Sequence, residues 1–204
     1  MKFNIQKSHP WHGVGPGEGA PEVITAFIEI VPTDTIKYEI DKASGYLKID
    51  RPQKFSNIVP SLYGFIPQTY CGQGIADLAQ KTCNKTVEKG DGDPLDICVL
   101  TSHAIAHGDI LLQARPIGGF CLLDKGEADD KIIAVLMGDP VYDAYRNIDE
   151  LPKGILAKLR HYFLTYKNLP SEPSNCEIGL EYGFEQAQAV IIEAMNDYKV
   201  LIKS

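Results

Sequence analysis

No apolar run in these 204 residues approaches the ~20 that a membrane-crossing helix requires, so neither a membrane span nor a membrane partner is expected. The first 22 residues, MKFNIQKSHPWHGVGPGEGAPE, lack the apolar core of a secretory leader and the arginine-rich, acid-poor character of a transit peptide. The five cysteines are odd in number and form no C-x-x-C, which argues against a complete disulfide framework or a zinc ribbon and for a reducing, cytoplasmic setting. An excess of basic charge is also missing: 20 Lys and Arg against 27 Asp and Glu give a net charge of −7, a poor match to a nucleic-acid phosphate backbone. His103 and His107 stand four apart, but residue 104 is alanine, so the H-E-x-x-H zinc pattern is absent.

What is present reads as a Gly- and Pro-rich arm over residues 1–22 followed by one domain over 23–204. No chemistry is expected of the arm, and Trp11, between His9 and His12, is expected to pack onto the domain. From Val23 onward, VITAFIEIV, TIKYEI, YLKID, DICVLT, DILLQARPI and KIIAVLM are short, rich in Ile, Val and Leu, and separated by turn residues. That rhythm predicts a closed or strongly twisted β-structure. Lys42-Ala43-Ser44-Gly45 has the length and glycine of a hairpin loop, so TIKYEI and YLKID are expected to pair antiparallel, with Lys37 and Glu39 on one face. Residues 70–90 read as a long surface loop with room for one short helical turn. Ile155, Leu159, Tyr162, Phe163 and Tyr166 then fall on a helical stripe. A second helix is expected from about Phe184 to the C-terminus, with Ala187, Val190, Ile191 and Ala194 inward and a break over 169–173 between the two helices.

The segment Asp91-Gly92-Asp93-Pro94-Leu95-Asp96 places three carboxylates within six residues of a strand. Like charges that close repel unless solvated or shared by a hard cation, and Mg²⁺ takes oxygen ligands. An EF-hand is ruled out, because its fifth, sixth and twelfth positions would be Leu95, Asp96 and Ser102. A second acidic group, from Asp124 to Lys131, also precedes a strand, so the two groups are expected at one rim of the β-structure. Lys37, Arg51, Lys131 and Lys167 supply the opposite charge that a phosphate would need.

The segments IEI, IKYEID, DRP, YGFIP, DGDPLDI, the D-x-G-E-x-D-D-K loop and HYFLTYKNL stand in the order found in family I soluble inorganic pyrophosphatases. The chain resembles that family from about Val23 to the C-terminal helix. The resemblance implies an α+β, mainly β fold, a small twisted OB-like closed β-barrel flanked by two or more helices. It implies metal-dependent hydrolysis of pyrophosphate, with several Mg²⁺ per site and Mn²⁺ as a substitute. Asp91, Asp96 and Asp129 resemble the main metal ligands, Asp124 completes further sites, and Glu29 and Glu39 resemble acids that hold an additional metal and order water. Asp93 resembles the group that accepts the water proton. Lys37, Arg51, Tyr63, Lys131, Tyr166 and Lys167 fall on positions that contact the phosphates. Similarity to bacterial members implies a homo-oligomer, a hexamer ahead of a dimer. Val59, where a tyrosine often stands, and the longer 71–90 loop depart from the common pattern, and Asp130 has no assigned role. The competing readings are a hydrolase of nucleoside polyphosphates and an OB-like binding module, which would need a basic groove that this chain lacks.

Overall fold

The computed structural model describes residues 7–169, 172 and 174–203. Its strands are β1 (Ile24–Ile30), β2 (Ile36–Ile40), β3 (Leu47–Pro52), β4 (Leu62–Phe65), β5 (Asp96–Leu100), β6 (Ile110–Asp124), β7 (Glu127–Ala128), β8 (Lys131–Leu136) and β9 (Cys176–Gly183), and its helices are α1 (Gln73–Cys83), α2 (Lys153–Thr165) and α3 (Phe184–Leu201). The fold is α+β and mainly β. In the main sheet β1 pairs β4, β4 pairs β5, β5 pairs β8, β8 pairs β6, and β6 pairs β1 again. Strands β2 and β3 form a separate antiparallel hairpin, as the Lys42–Gly45 turn predicts.

Both faces of the main sheet are covered, which is why its strands read as nearly continuous apolar runs. On one face Ile97, Val99, Ile132 and Ala134 pack with Ile75 and Ala79 of α1 and with Val190 and Ile191 of α3. On the other, Cys98, Leu100, Ile133 and Val135 pack with Leu156, Leu159, Tyr162 and Phe163 of α2. The strands approach too closely for a side chain at Gly64, where a Cβ would lie 1.9 Å from the Phe27 carbonyl oxygen.

One expectation needs correction, and two further features were not expected. The 70–90 segment holds an 11-residue helix where a loop was expected. Only Ile75, Ala76 and Ala79 of it are buried, a weak local signal, and its cap comes from far along the chain. The Asp197 carboxylate on α3 accepts from the Gly72, Gly74 and Ile75 N–H groups, each at 3.0 Å. Second, β9 fills the stretch before α3 and pairs with the later half of β6; its two glycines, the exposed Glu177 and the half-buried Glu181 hide its strand character. Third, the packing of α1 brings the sulfurs of Cys83 and Cys121, 38 positions apart, together, while Cys71, Cys98 and Cys176 stay free and buried. The break expected over 169–173 lies partly outside the described residues.

The described part of the arm lies on the domain. Trp11 is 5% exposed, and its indole N–H donates to the Thr69 carbonyl at 2.8 Å. Its ring packs between Tyr70 and Tyr198, with centroids 6.5 and 6.2 Å away. No helix among the described residues is long and apolar enough to cross a membrane.

Candidate active site

Strands β5 and β8 are parallel neighbours, with Asp96 opposite Lys131 at their first residues. The chain therefore enters both strands from the same end, and the acidic segments before them arrive at one rim. Together they line a cavity of about 390 Å³ with Lys37, Asp50, Arg51, Tyr63, Asp91, Asp93, Asp96, Asp124, Glu127, Asp129, Lys131, Tyr166 and Lys167. Glu29 and Glu39 lie instead in an adjoining pocket of about 90 Å³ that shares Lys37, Tyr63, Asp93 and Asp96 with the first. A wider depression of about 960 Å³ lies between the arm and β6, but Glu18 is the one charged side chain in its lining, so it offers no converging donors.

Lys131 is 2% exposed, and its ammonium donates to both Asp96 and Asp129. It also lies 5.9 Å from the centre of the Phe163 ring. The Tyr63 hydroxyl donates to the same Asp96. Lys167, the second residue past α2, donates to Asp124 and lies 5.0 Å from the Tyr166 ring centre. Tyr166 stacks on Tyr162 at 5.1 Å, so its ring both packs against α2 and lines the cavity.

The β2–β3 hairpin brings the other cations. Lys37 Nζ bonds Asp50 at 2.8 Å and Glu39 at 3.1 Å. Arg51 faces Asp50 at 3.8 Å, and its Nη1 is buried with no hydrogen-bond partner among the described residues. A guanidinium that lines a polar cavity offers forked donors that suit phosphate oxygens. Glu29, 7% exposed in β1, accepts from the Ile40 N–H at 2.7 Å and so ties the hairpin to the main sheet.

Burial, followed by the neighbouring Asp129 carboxylate, pushes Asp91 well above the usual carboxylate range. Asp129 is raised for the same first reason. Burial lifts Glu29 to about 8, although the Ile40 N–H works the other way. Asp130, on which the sequence is silent, is 4% exposed and accepts from the Tyr182 hydroxyl at 2.8 Å; burial raises it to about 7. Among the described residues no three carboxylate, His or Cys side chains already close on a common point as a metal-binding group. The Lys131 ammonium stands between two of the acids instead.

Asp50 and Glu127 were missed as cavity residues. Asp50 could have been found, since it is the first letter of the D-R-P segment and pairs with the two hairpin cations. Glu127 sits in the second acidic loop and pairs with Lys89 at 2.8 Å. His103 and His107 are exposed and outside the cavity.

The chain matches the family model described as "Pyrophosphatase: Inorganic pyrophosphatase" over residues 26–199. It is 52% identical over 195 residues to an inorganic pyrophosphatase of Chlamydia muridarum, covering 93% of each chain. It is 37% identical over 200 residues to a soluble inorganic pyrophosphatase of Oryza sativa subsp. indica, covering 93% of this chain and 84% of that one. The crystal structure of an inorganic pyrophosphatase from Thermus thermophilus superposes with a TM-score of 0.77 at 27% identity, over 95% of this chain and 99% of that one. With this cavity in this fold, and with matches of that extent, the chain belongs to the inorganic pyrophosphatase family.

Proposed function

We propose that this chain hydrolyses inorganic pyrophosphate to two phosphates in the 390 Å³ cavity. The observation that carries the reading is the composition of that cavity: seven carboxylates face four lysine and arginine side chains, a formal charge of −3 with all groups ionised. A polyanion alone is repelled by such a cavity, whereas a polyanion accompanied by divalent cations meets donors for its oxygens and acceptors for its cations.

The donor set fits a hard cation. Every candidate ligand is a carboxylate oxygen; Asp129 is buried and Asp91 half-buried near it, and burial raises both, so a hard cation would relieve the cost of their charges. In this reading Asp91, Asp96 and Asp129 are the main ligands, Asp124 serves further sites, and Glu29 and Glu39 serve an additional one through the adjoining pocket. Mg²⁺, or Mn²⁺ in its place, supplies charge neutralisation and Lewis acidity when bound.

The chain's own residues supply the rest. Asp93, half-exposed between the two pockets, takes the proton of the attacking water. The water oxygen bonds to one phosphorus as the bond from that phosphorus to the bridging oxygen breaks. Arg51 and Lys37 hold phosphate oxygens from the hairpin side, and Lys131, Lys167, Tyr63 and Tyr166 face them from the main sheet and α2. Charge accumulating on the departing phosphate is met by groups already in place, so catalysis is positioning and electrostatics.

The proposal also takes the ring of strand pairings as a closed OB-like barrel, residues 1–22 as an arm and 23–204 as one domain. A homo-oligomer in the cytoplasm, with a hexamer ahead of a dimer, completes it; solution mass distinguishes the two. The test of function is phosphate release at neutral pH from pyrophosphate and, in parallel, from ATP. Rapid Mg²⁺-dependent release from pyrophosphate that EDTA abolishes is the expected result. Idle enzyme, or preference for ATP, would sink the proposal.

A further inference from the structure

The turn that joins β2 to β3 carries a side chain to which the mechanism above gives no role. Lys42 Nζ donates to the Asp93 carboxylate and, at 3.3 Å, to the Gly92 carbonyl, so an ammonium from the hairpin tip closes on the loop that bears the proposed base. No other described residue donates to that carboxylate. Among the described residues Asp93 is otherwise held by its backbone, whose N–H donates to Asp91 Oδ1 at 3.0 Å and whose carbonyl accepts from the Cys71 N–H at 2.8 Å, and its side chain is 49% exposed. Without Lys42 the carboxylate is free to rotate toward solvent.

The turn is braced from behind by the arm. His9 Nε2 lies 3.1 Å from the Lys42 carbonyl oxygen. A carbonyl only accepts, so the ring carries its proton on Nε2, and Nδ1 accepts from the Trp11 and His12 backbone N–H groups at 3.2 and 3.3 Å. Trp11 in its buried slot thereby fixes the His9 ring. Arm and turn are in close contact at Gly45, which has φ 72°, and where a Cβ would meet His9 Cδ2 at 2.8 Å.

Resting on the assignment of Asp93 as the base, we infer that Lys42 is a positioning residue for Asp93, held in register by His9 of the N-terminal arm. An exposed ion pair of this kind adds little to stability, so its worth lies in where it places the carboxylate. A base misplaced by about 1 Å forfeits on the order of 100-fold in rate, and that loss falls on kcat.

The test compares Lys42→Met, Lys42→Arg, His9→Ala and Asp93→Asn, and the double variant Lys42→Met/Asp93→Asn, in full-length protein with Mg²⁺ and pyrophosphate. Lys42→Met is expected to lower kcat by about 10- to 100-fold with KM changed less than about threefold and the melting temperature unmoved. Lys42→Arg restores most of the rate, and His9→Ala shows a smaller loss of the same kind. In the Asp93→Asn background Lys42→Met costs no more than about twofold, because its effect passes through the same carboxylate. Hydrogen exchange in the 91–93 loop rises in Lys42→Met, a readout independent of turnover. Full kcat in Lys42→Met beside a crippled Asp93→Asn overturns the inference alone, as do losses that multiply in the double variant or unchanged exchange. Wild-type turnover in Asp93→Asn overturns the assignment of the base and the inference with it.

Discussion

At the scale of single residues, the cavity is a set of charges whose partners decide what each can do. Arg51 has a buried nitrogen with no acceptor among the described residues, and Lys37 is spread over two acids. Arg51→Ala is expected to lower kcat/KM for pyrophosphate by about 10²-fold and Arg51→Lys to recover little of it, since one ammonium cannot replace a forked donor. Lys37→Ala is expected to raise KM with the fold intact. Steady-state kinetics on the three variants checks both, and unchanged constants would remove these side chains from the site. Glu29 gives a pH signature. Its folded value, raised by burial to about 8 from 4.5, means that the folded state holds a proton that the unfolded chain has lost. In the absence of divalent metal, stability is fully present below the unfolded value and falls as pH rises through the folded one. Wild type should therefore lose roughly 3 kcal/mol between pH 5 and pH 8 relative to Glu29→Gln. Parallel urea titrations in EDTA measure this, and identical pH profiles would contradict it.

At the scale of elements, legibility followed how local each cause is. The hairpin announced itself through its turn, and α2 and α3 through their stripes, because a periodic apolar face needs only its own residues. The two acidic segments were legible as a site because each precedes a strand, although that those strands are parallel neighbours was not. Helix α1 was illegible because its cap, Asp197, stands more than 100 positions away, and β9 because glycine and glutamate carry no strand signal. Lys42 reads in sequence as an ordinary turn lysine; only the folded chain puts it on Asp93. One loop-fastening residue escaped notice as well. Asp139, 3% exposed after β8, accepts from Thr101 Oγ1 and Ser102 N at 2.7 Å, Tyr142 N at 2.8 Å and Val141 N at 2.9 Å. Burial alone would raise it, yet these donors hold it far below the usual carboxylate range. Asp139→Ala is expected to cost about 3 kcal/mol of unfolding free energy with catalysis at permissive temperature unchanged. A loss under about 0.5 kcal/mol would show that water replaces the carboxylate. In the arm, Trp11→Ala should cost about 3 kcal/mol if the arm is docked in solution as the buried indole indicates, and nothing if it is not.

At the scale of the whole molecule, strands covered on both faces carry two acidic loops to one rim, and a hairpin pinned to the sheet by Glu29 brings the opposing cations. The net charge of −7 and the −3 of the cavity have the same sign, so under the proposed function divalent cations are needed to admit the substrate. Mg²⁺ at millimolar concentration is accordingly expected to raise the melting temperature by several degrees and EDTA to reverse it, by the linkage between ligand binding and folding; calorimetry showing no shift would count against a carboxylate metal site. The central claim is that pyrophosphate is hydrolysed in this cavity with Asp93 as the base. Its most direct test is phosphate release from pyrophosphate by wild type and by Asp93→Asn, side by side at neutral pH with Mg²⁺, with circular dichroism verifying that both are folded. The account predicts rapid release by wild type and a loss of about 10²- to 10⁴-fold in kcat in the variant; equal rates, or no release by either, would contradict it.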